Sequence, residues 1–161
     1  MPITVRVAMP SDGTTIAGLN AHVQSIHAVA HPWRFKAPGA SPDTAAAFET
    51  MLSAPDRLAF LADVDGLPAG YVVGEIIRRA ETVFHHATAV LHIEHIAVRT
   101  DARRCGVGRA LLDAAKAHGE SQGVSLLELE VWAFNDDART FFKCYGLVPA
   151  RERMWNRIEP T

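Results

Sequence analysis

Two glycines separated by a single residue, Gly106 and Gly108, stand between a segment typical of a strand and a segment typical of a helix. Residues 88–98 carry the apolar pattern of a strand, and residues 109–122 repeat apolar side chains at helical spacing. Glycine lets the backbone approach a ligand closely, and the amides that open a helix favour anions. Arginines on both sides of the glycines add positive charge. The pattern therefore predicts a site for an anion such as a diphosphate.

The two glycines alone also suit a tight turn that binds no ligand, and at the level of the motif this alternative stays open. The segment contains neither the G-x-x-x-x-G-K-[ST] pattern of nucleotide-binding P-loops nor the G-x-G-x-x-G pattern of dinucleotide-binding folds. These two classes of phosphate-binding protein are therefore excluded.

Hydrophobic periodicity divides the rest of the chain into short strands and helices. The predicted strands cover residues 3–8, 58–64, 69–78, 88–98, 126–133 and 150–157. The predicted helices cover residues 15–28, 44–53, 109–122 and 138–145. The order β-α-α-β-β-β-α-β-α-β predicts an α/β protein with α+β character, in which helices cover a mixed sheet. With 161 residues and no linker, the chain is expected to form a single domain, residues 1–161.

Charge and cysteine content narrow the class of partner. The net charge is −2 and the basic residues are scattered, whereas nucleic-acid-binding proteins carry a basic stripe. Two cysteines, Cys105 and Cys144, are too few for a disulfide framework. No apolar run approaches the roughly 20 residues of a membrane span, and the N-terminus lacks the pattern of a signal peptide. We therefore expect a cytoplasmic protein that binds a small molecule or a peptide rather than nucleic acid or a membrane.

Residues 103–108, Arg-Arg-Cys-Gly-Val-Gly, match the [RQ]-x-x-G-x-[GA] signature of the GNAT superfamily of acetyltransferases. Residues 93–98 resemble the strand before this signature, residues 131–142 resemble the family's N-x-x-A-x-x-F-Y segment, and Gly146-Leu147 resembles its G-F pair. The element order agrees from residue 3 to about residue 154. The resemblance implies the acyl-CoA N-acyltransferase fold, acetyl-CoA as cosubstrate, direct transfer of its acetyl group to a primary amine, and a homodimer.

The resemblance also implies a geometry for the cosubstrate. Pantetheine would lie between two strands that splay apart, here residues 92–98 and 127–133, and the amides of the glycine turn would hold the pyrophosphate. The implied coenzyme A contacts are Ile96, Ala97, Val98, Arg103, Arg104, Cys105, Gly106, Val107, Gly108, Arg109, Asn135, Ala138 and Phe142. Asn135 also fits as the N-cap of the helix that follows it, and the two roles are compatible.

A carboxylate on the strand before the loop is the first candidate for the general base. Glu94 matches the position at which some polyamine-acetylating members of the family carry glutamate, and strand alternation places it on the opposite face from His95. A solvated surface carboxylate is the alternative. The weaker candidates for the base are His92, His95, Glu128 and Glu130.

The general acid is the point at which the sequence departs from the family. The tyrosine that often protonates the leaving thiolate corresponds to Phe142, which has no proton to donate. Tyr145 lies one turn later and is the candidate acid, although a packed core tyrosine is favoured at its position. Either the thiolate departs without a dedicated acid, or the chain is a catalytically weak or silent acyl-CoA-binding sensor.

The acceptor is expected to contact the connection between the first two helices. His31, Trp33 and Phe35 are the predicted substrate-binding residues, and their rings suit an aromatic wall for a small-molecule or peptide amine. His27 and His31 have the i, i+4 spacing of metal ligands, but the sequence places no third ligand, so no metal is expected. A nucleic-acid-binding regulator is a further alternative, which the dispersed charge disfavours.

Overall fold

The computed structural model describes residues 2–39, 43–156 and 158. Within them, five strands form a sheet in the order β1-β2-β3-β4-β5. The strands are β1 (Ile3–Val7), β2 (Arg57–Val64), β3 (Leu67–Arg79), β4 (Thr88–Val98) and β5 (Leu126–Leu129). The helices are α1 (Gly13–Ala30), α2 (Thr44–Ser53), α3 (Val107–Ser121) and α4 (Asp136–Tyr145). This is the mixed α/β architecture that the sequence predicts.

Strand direction follows from the connections. Strands β1 to β4 pair antiparallel, and Asp65 and Gly66 form the two-residue turn between β2 and β3 with φ angles of 51° and 79°. Strand β5 pairs parallel to β4, because α3 carries the chain back across the sheet before β5 begins. This crossover starts at the carboxyl end of β4, the end at which open α/β sheets bind their ligands.

Helices cover both faces of the sheet. Helices α1 and α2 bury Ile16 and Phe48 in a cluster that includes Tyr71 of β3. Helix α3 covers the opposite face, where a Cβ added at Gly70 would lie 3.1 Å from the side chain of Val107. Across the described residues, no helix combines the length and the apolar character needed to cross a lipid bilayer.

The chain divides into two compact units, Met1–Glu130 and Val131–Thr161. The first unit contains the sheet with α1, α2 and α3. The second contains α4, which is capped by Asn135: its Oδ1 accepts a 3.1 Å hydrogen bond from the amide of Ala138. Gly146, with a φ of 112°, ends this helix. The N-cap role of Asn135 is therefore confirmed, whereas a single domain over residues 1–161 stays a prediction.

Two strands differ from the prediction. Strand β5 ends at Leu129 rather than at residue 133, and a turn follows in which the amide of Asn135 bonds the carbonyl of Trp132. Residues 150–156 form no strand; all of them are exposed, so neither face of the predicted strand is buried. The predicted final strand is wrong over these residues, and its last residue, Arg157, lies outside those that the structure describes.

Candidate active site

A β-bulge interrupts the pairing of β3 with β4. The register shifts between Val73 and Gly74, which leaves Glu94 of β4 without an opposite position on β3. Gly74 permits this geometry, because a Cβ at that position would lie 2.5 Å from the carbonyl oxygen of His92. The bulge therefore sets Glu94 apart from the regular ladder, and the close backbone approach to His92 requires glycine at position 74.

Strands β4 and β5 part next to the bulge. Their parallel pairing runs along β4 from Val90 to Ile93, and β5 ends at Leu129, which lies opposite Ile93. In the described part of the chain, β4 continues past this point through residues 94–98, paired only with β3. We call residues 94–98 the open edge of β4. It offers main-chain groups to a ligand that lies along the strand.

The main-chain groups of the open edge alternate in direction. The amide of Arg99 donates a 2.7 Å hydrogen bond to a carbonyl of β3, which sets the phase of the antiparallel ladder. Ala97 therefore directs its N–H and C=O groups to β3, so they do not face a ligand on the open side, as the resemblance implies they would. Ile96 and Val98 direct theirs to the open side. In agreement, the carbonyl of Val98 accepts a 3.3 Å hydrogen bond from Nε of Arg103.

The glycine turn leads from the open edge into α3. Arg104 and Gly106 have φ angles of 61° and 92°, and Gly106 is the N-cap residue of the helix. Because the left-handed conformation at Gly106 turns the chain directly into the helix, α3 begins at Val107, two residues before the predicted start. The amide of Ala110 bonds the carbonyl of Gly106 at 3.0 Å, and earlier amides of the turn have no acceptor within the helix.

The first turn of α3 can hold an anion. The amides of residues 106–108 head the helix, where the helix dipole favours negative charge. The exposed side chains of Arg104 and Arg109 add positive charge beside them. The thiol of Cys105 is directed to the carbonyl of Arg103, 3.4 Å away. The structure thus brings together the residues that the sequence predicts for a diphosphate.

An ion pair holds the carboxylate of the bulge. Glu94 pairs with Nη1 of Arg57, a residue of β2 whose side chain reaches across the intervening strand β3. Nη2 of Arg57 also lies 3.8 Å from Oε2 of Glu75. Glu94, the first candidate for the base, is therefore held by Arg57 at the point where β4 loses its second partner strand.

His95 follows the bulge and is largely enclosed. Its ring lies edge-on to that of Phe48, with the centroids 5.6 Å apart. Burial lowers the pKa of His95 from its ordinary value, and the charges of Arg57 and then His27 lower it further. The imidazole is therefore neutral at pH 7 and able to accept a proton. The bulge overrides the alternation that predicted Glu94 and His95 on opposite faces, since Arg57 lies close to both.

Two of the weaker base candidates pair with each other. Nδ1 of His92 lies 3.4 Å from Oε1 of Glu128, its neighbour across the parallel pair of β4 and β5. Glu130 follows the end of β5. His92 and Glu128 thus belong to the paired part of the sheet, whereas Glu94 and His95 begin the open edge.

Aromatic and imidazole rings cluster at the connection between α1 and α2. The rings of His27 and Phe35 stack with centroids 5.0 Å apart, and those of His31 and Trp33 meet edge-on at 6.2 Å. An open groove of about 500 Å³ lies beside them. The three residues predicted to bind the acceptor therefore lie in one cluster. Over the ranges that the structure describes, no three His, Cys, Asp or Glu side chains are grouped so as to hold a metal ion.

The second unit carries the remaining residues that the resemblance implies. Asn135 caps α4 through the amide of Ala138. The rings of Phe141 and Phe142 lie 5.3 Å apart, and Tyr145 is the half-buried last residue of the helix. The coenzyme A contacts of Asn135, Ala138 and Phe142, and the role of Tyr145 as an acid, stay predictions.

Two residues of the site, Gly74 and Arg57, are not among those that the sequence predicts. Gly74 interrupts an apolar run within a strand, a pattern that signals a bulge or a close backbone approach and could have revealed it. Arg57 carries no such signal. It reaches Glu94 across a strand whose pairing the sequence does not determine.

Known proteins share both the sequence pattern and the fold. The profile of the acetyltransferase (GNAT) family matches residues 23–147. An uncharacterized N-acetyltransferase in the pepI 3′ region of Lactobacillus delbrueckii subsp. lactis is 29% identical over 105 residues, which cover 65% of this chain and 59% of that relative. The match thus spans less than two thirds of the relative's own length.

Two solved structures illustrate the shared fold. A tetramutant of the BH1408 protein from Bacillus halodurans has a TM-score of 0.89 at 20% identity, covering 96% of this chain and 99% of that one. Aminoglycoside N-acetyltransferase AAC(6′)-Iy, in complex with CoA, has a TM-score of 0.75 at 20% identity, covering 99% of this chain and 96% of that one. These likenesses agree in fold with the family profile, which matches most of the sequence. The chain belongs to the acetyltransferase (GNAT) family.

Proposed function

We propose that this protein transfers the acetyl group of acetyl-CoA directly to a primary amine. The observation that carries the proposal is the continuity of the open edge, residues 94–98, with the glycine turn, residues 103–108. An extended pantetheine arm fits beside an unpaired strand edge as an added strand would, and its diphosphate then meets the first turn of α3. Membership of the family supports the same placement.

The reaction needs an oriented thioester and a proton acceptor, and no covalent enzyme intermediate. The amine nitrogen attacks the thioester carbonyl, a C–N bond forms, and the C–S bond breaks to release the thiolate of coenzyme A. In our proposal the proton lost by the amine passes to Glu94 through a water molecule. Phe142 has no proton for the thiolate, and Tyr145 is the proposed donor.

Coenzyme A should slow hydrogen exchange at two amides of the open edge and leave the exchange rate of the amide between them unchanged. With saturating coenzyme A, we expect the amides of Ile96 and Val98 to exchange at least about tenfold more slowly, because each gains an acceptor. Ala97 directs its amide to β3 and should change little. Hydrogen exchange followed by NMR, with and without coenzyme A, measures the three rates. Equal protection of Ile96 and Ala97, or none at all, would contradict the proposed position of pantetheine.

Replacing Glu94 with glutamine should slow turnover without weakening cosubstrate binding. Glutamine keeps the size of the side chain but accepts no proton, so we expect kcat to fall by about 100-fold, as for loss of a general base. The Kd for acetyl-CoA should change by less than about twofold. Glu81→Gln, in the exposed connection after β3, is the matched control and should leave both quantities unchanged. Unchanged turnover in Glu94→Gln would remove Glu94 as the base.

Calorimetry with coenzyme A and acetyl-CoA, followed by thiol release across a panel of amines, tests the function itself. The panel should contain polyamines, peptides with free amino groups, and amino sugars, since an aminoglycoside N-acetyltransferase is among the proteins of similar fold. We propose that the cluster of His31, Trp33 and Phe35 contacts the acceptor. We expect binding of both forms of the cosubstrate and thiol release with at least one amine class. The absence of binding heat with either form would contradict the assignment.

A second candidate function is a catalytically weak or silent domain that binds acyl-CoA as a sensor. Phe142 favours it, because the position that often holds the family's acid carries no ionisable group. The same two experiments separate the candidates. Binding of acetyl-CoA without thiol release on any amine of the panel would support the sensor.

We also propose that the protein is a cytoplasmic homodimer, which composition and the family resemblance predict. Sedimentation velocity at micromolar concentration measures the oligomeric state. A monomer at these concentrations would contradict the dimer and leave the proposed reaction intact.

A further inference from the structure

We propose that Arg57 is a positioning residue that holds the Glu94 carboxylate at the bulge and keeps the His95 imidazole in the form that accepts a proton. The inference rests on the proposed acetyl transfer and adds to it a residue that the sequence pattern does not assign. Arg57 stands on β2, two strands away from the open edge, and its guanidinium crosses β3 to pair with Glu94. A side chain on a distant strand thus contacts the residue at which β4 and β5 part.

The guanidinium is held between two carboxylates. Arg57 lies directly opposite Glu75 in the pairing of β2 with β3, and their charged groups are 3.8 Å apart. Its other terminal nitrogen pairs with Glu94. The side chain of Arg57 is only 21% exposed, so solvent screens its charge less than it screens a surface arginine. The two carboxylates therefore fix the position of the Arg57 guanidinium, and its weakly screened charge lies next to the bulge.

Arg57 acts on both of its neighbours. It pairs with the carboxylate of Glu94, and its charge opposes protonation of the His95 imidazole. Within the described residues, this neighbourhood contains charged or titratable groups from β2 (Arg57), β3 (Glu75), β4 (Glu94) and α1 (His27), and the uncharged ring of Phe48 from α2. An amine that arrives at the open edge consequently meets a carboxylate and a neutral imidazole side by side.

Removing this charge should shift the pH dependence of the reaction. In Arg57→Gln the pKa of His95 should rise, because the positive charge that opposed its protonation is gone. The neutral, proton-accepting imidazole of His95 exists only above that pKa, so the acid limb of kcat/KM should move to higher pH by about half to one unit. Arg57→Lys keeps the charge but loses the two-sided contact; kcat should fall while the acid limb stays in place.

A titration of the His95 ring by NMR supplies a readout that does not depend on turnover. Its midpoint should rise in Arg57→Gln by an amount similar to the shift of the acid limb. Arg6→Gln is the matched control, since Arg6 of β1 forms a comparable ion pair with Asp12, 2.8 Å long, at the opposite edge of the sheet. That variant should leave both the acid limb and the His95 midpoint unchanged.

The outcomes separate this inference from the proposed function. If no amine is acetylated by the wild type but the His95 midpoint rises in Arg57→Gln, the acetyl transfer fails and the electrostatic role of Arg57 holds. A loss of kcat in folded Arg57→Gln with neither midpoint nor acid limb shifted would reduce Arg57 to a structural residue and overturn the inference. Arg57→Met, which keeps the aliphatic stem, replaces Arg57→Gln if circular dichroism shows that the glutamine variant does not fold.

Discussion

Glutamate in place of Gly108 is expected to abolish the binding of acetyl-CoA, raising its Kd by more than about 100-fold. Gly108 is the second residue of α3, which follows the N-cap residue Gly106 and begins at Val107. A glutamate there brings bulk and negative charge to the amides that we propose hold the diphosphate, and the two like charges repel. Isothermal titration calorimetry on the wild type and the variant measures the loss.

The control for this variant is a glutamate placed later in the same helix. Ala117 is exposed on α3, so Ala117→Glu adds the same side chain without approaching the glycine turn. It should bind acetyl-CoA with wild-type affinity. Thermal unfolding should show that both variants fold. Ala117 is exposed, and an acidic residue in the first turn, as in Gly108→Glu, complements the helix dipole. Wild-type affinity in folded Gly108→Glu would remove the diphosphate from this turn.

Alanine in place of Gly74 is expected to destabilise the protein by about 2–4 kcal/mol and to lower turnover as well. The added Cβ would lie 2.5 Å from the carbonyl oxygen of His92 and 3.2 Å from Cδ1 of Ile93. The first distance is shorter than such atoms can approach, so β4 must move at the bulge. Because Glu94 moves with it, kcat of the remaining folded protein should fall by at least about tenfold. Urea denaturation and steady-state kinetics measure the two effects.

Gly18→Ala is the matched control for the bulge variant. Gly18 lies within α1, and a Cβ there meets no heavy atom within 4 Å. Alanine is a better helix former than glycine, so this variant should be as stable as the wild type or more stable by up to about 1 kcal/mol. If Gly74→Ala matched the wild type in both stability and kcat, the bulge would not depend on glycine.

Elements with a strong local pattern were predictable to the residue. The structure places β4 at Thr88–Val98 and α2 at Thr44–Ser53, the bounds that the sequence predicts. Strand ends that depend on a partner were not predictable. Strand β5 stops at Leu129 although the predicted strand continues to residue 133, and residues 150–156 form no strand although one is predicted there. Alternation shows that a segment can pair, whereas pairing also needs a neighbouring edge in the right place.

The amino-acid sequence was enough to locate the glycine turn, the strand before it and the candidate base Glu94. Backbone conformation and the start of a helix depend on residues that are close together along the chain, so their pattern can be read directly. The folded chain was needed for the bulge, the open edge and the contact of Arg57 with Glu94. These features depend on the register between segments far apart in sequence, such as Gly74 against the carbonyl of His92. A register is set by how two strands pair, so the pattern of either strand alone does not determine it.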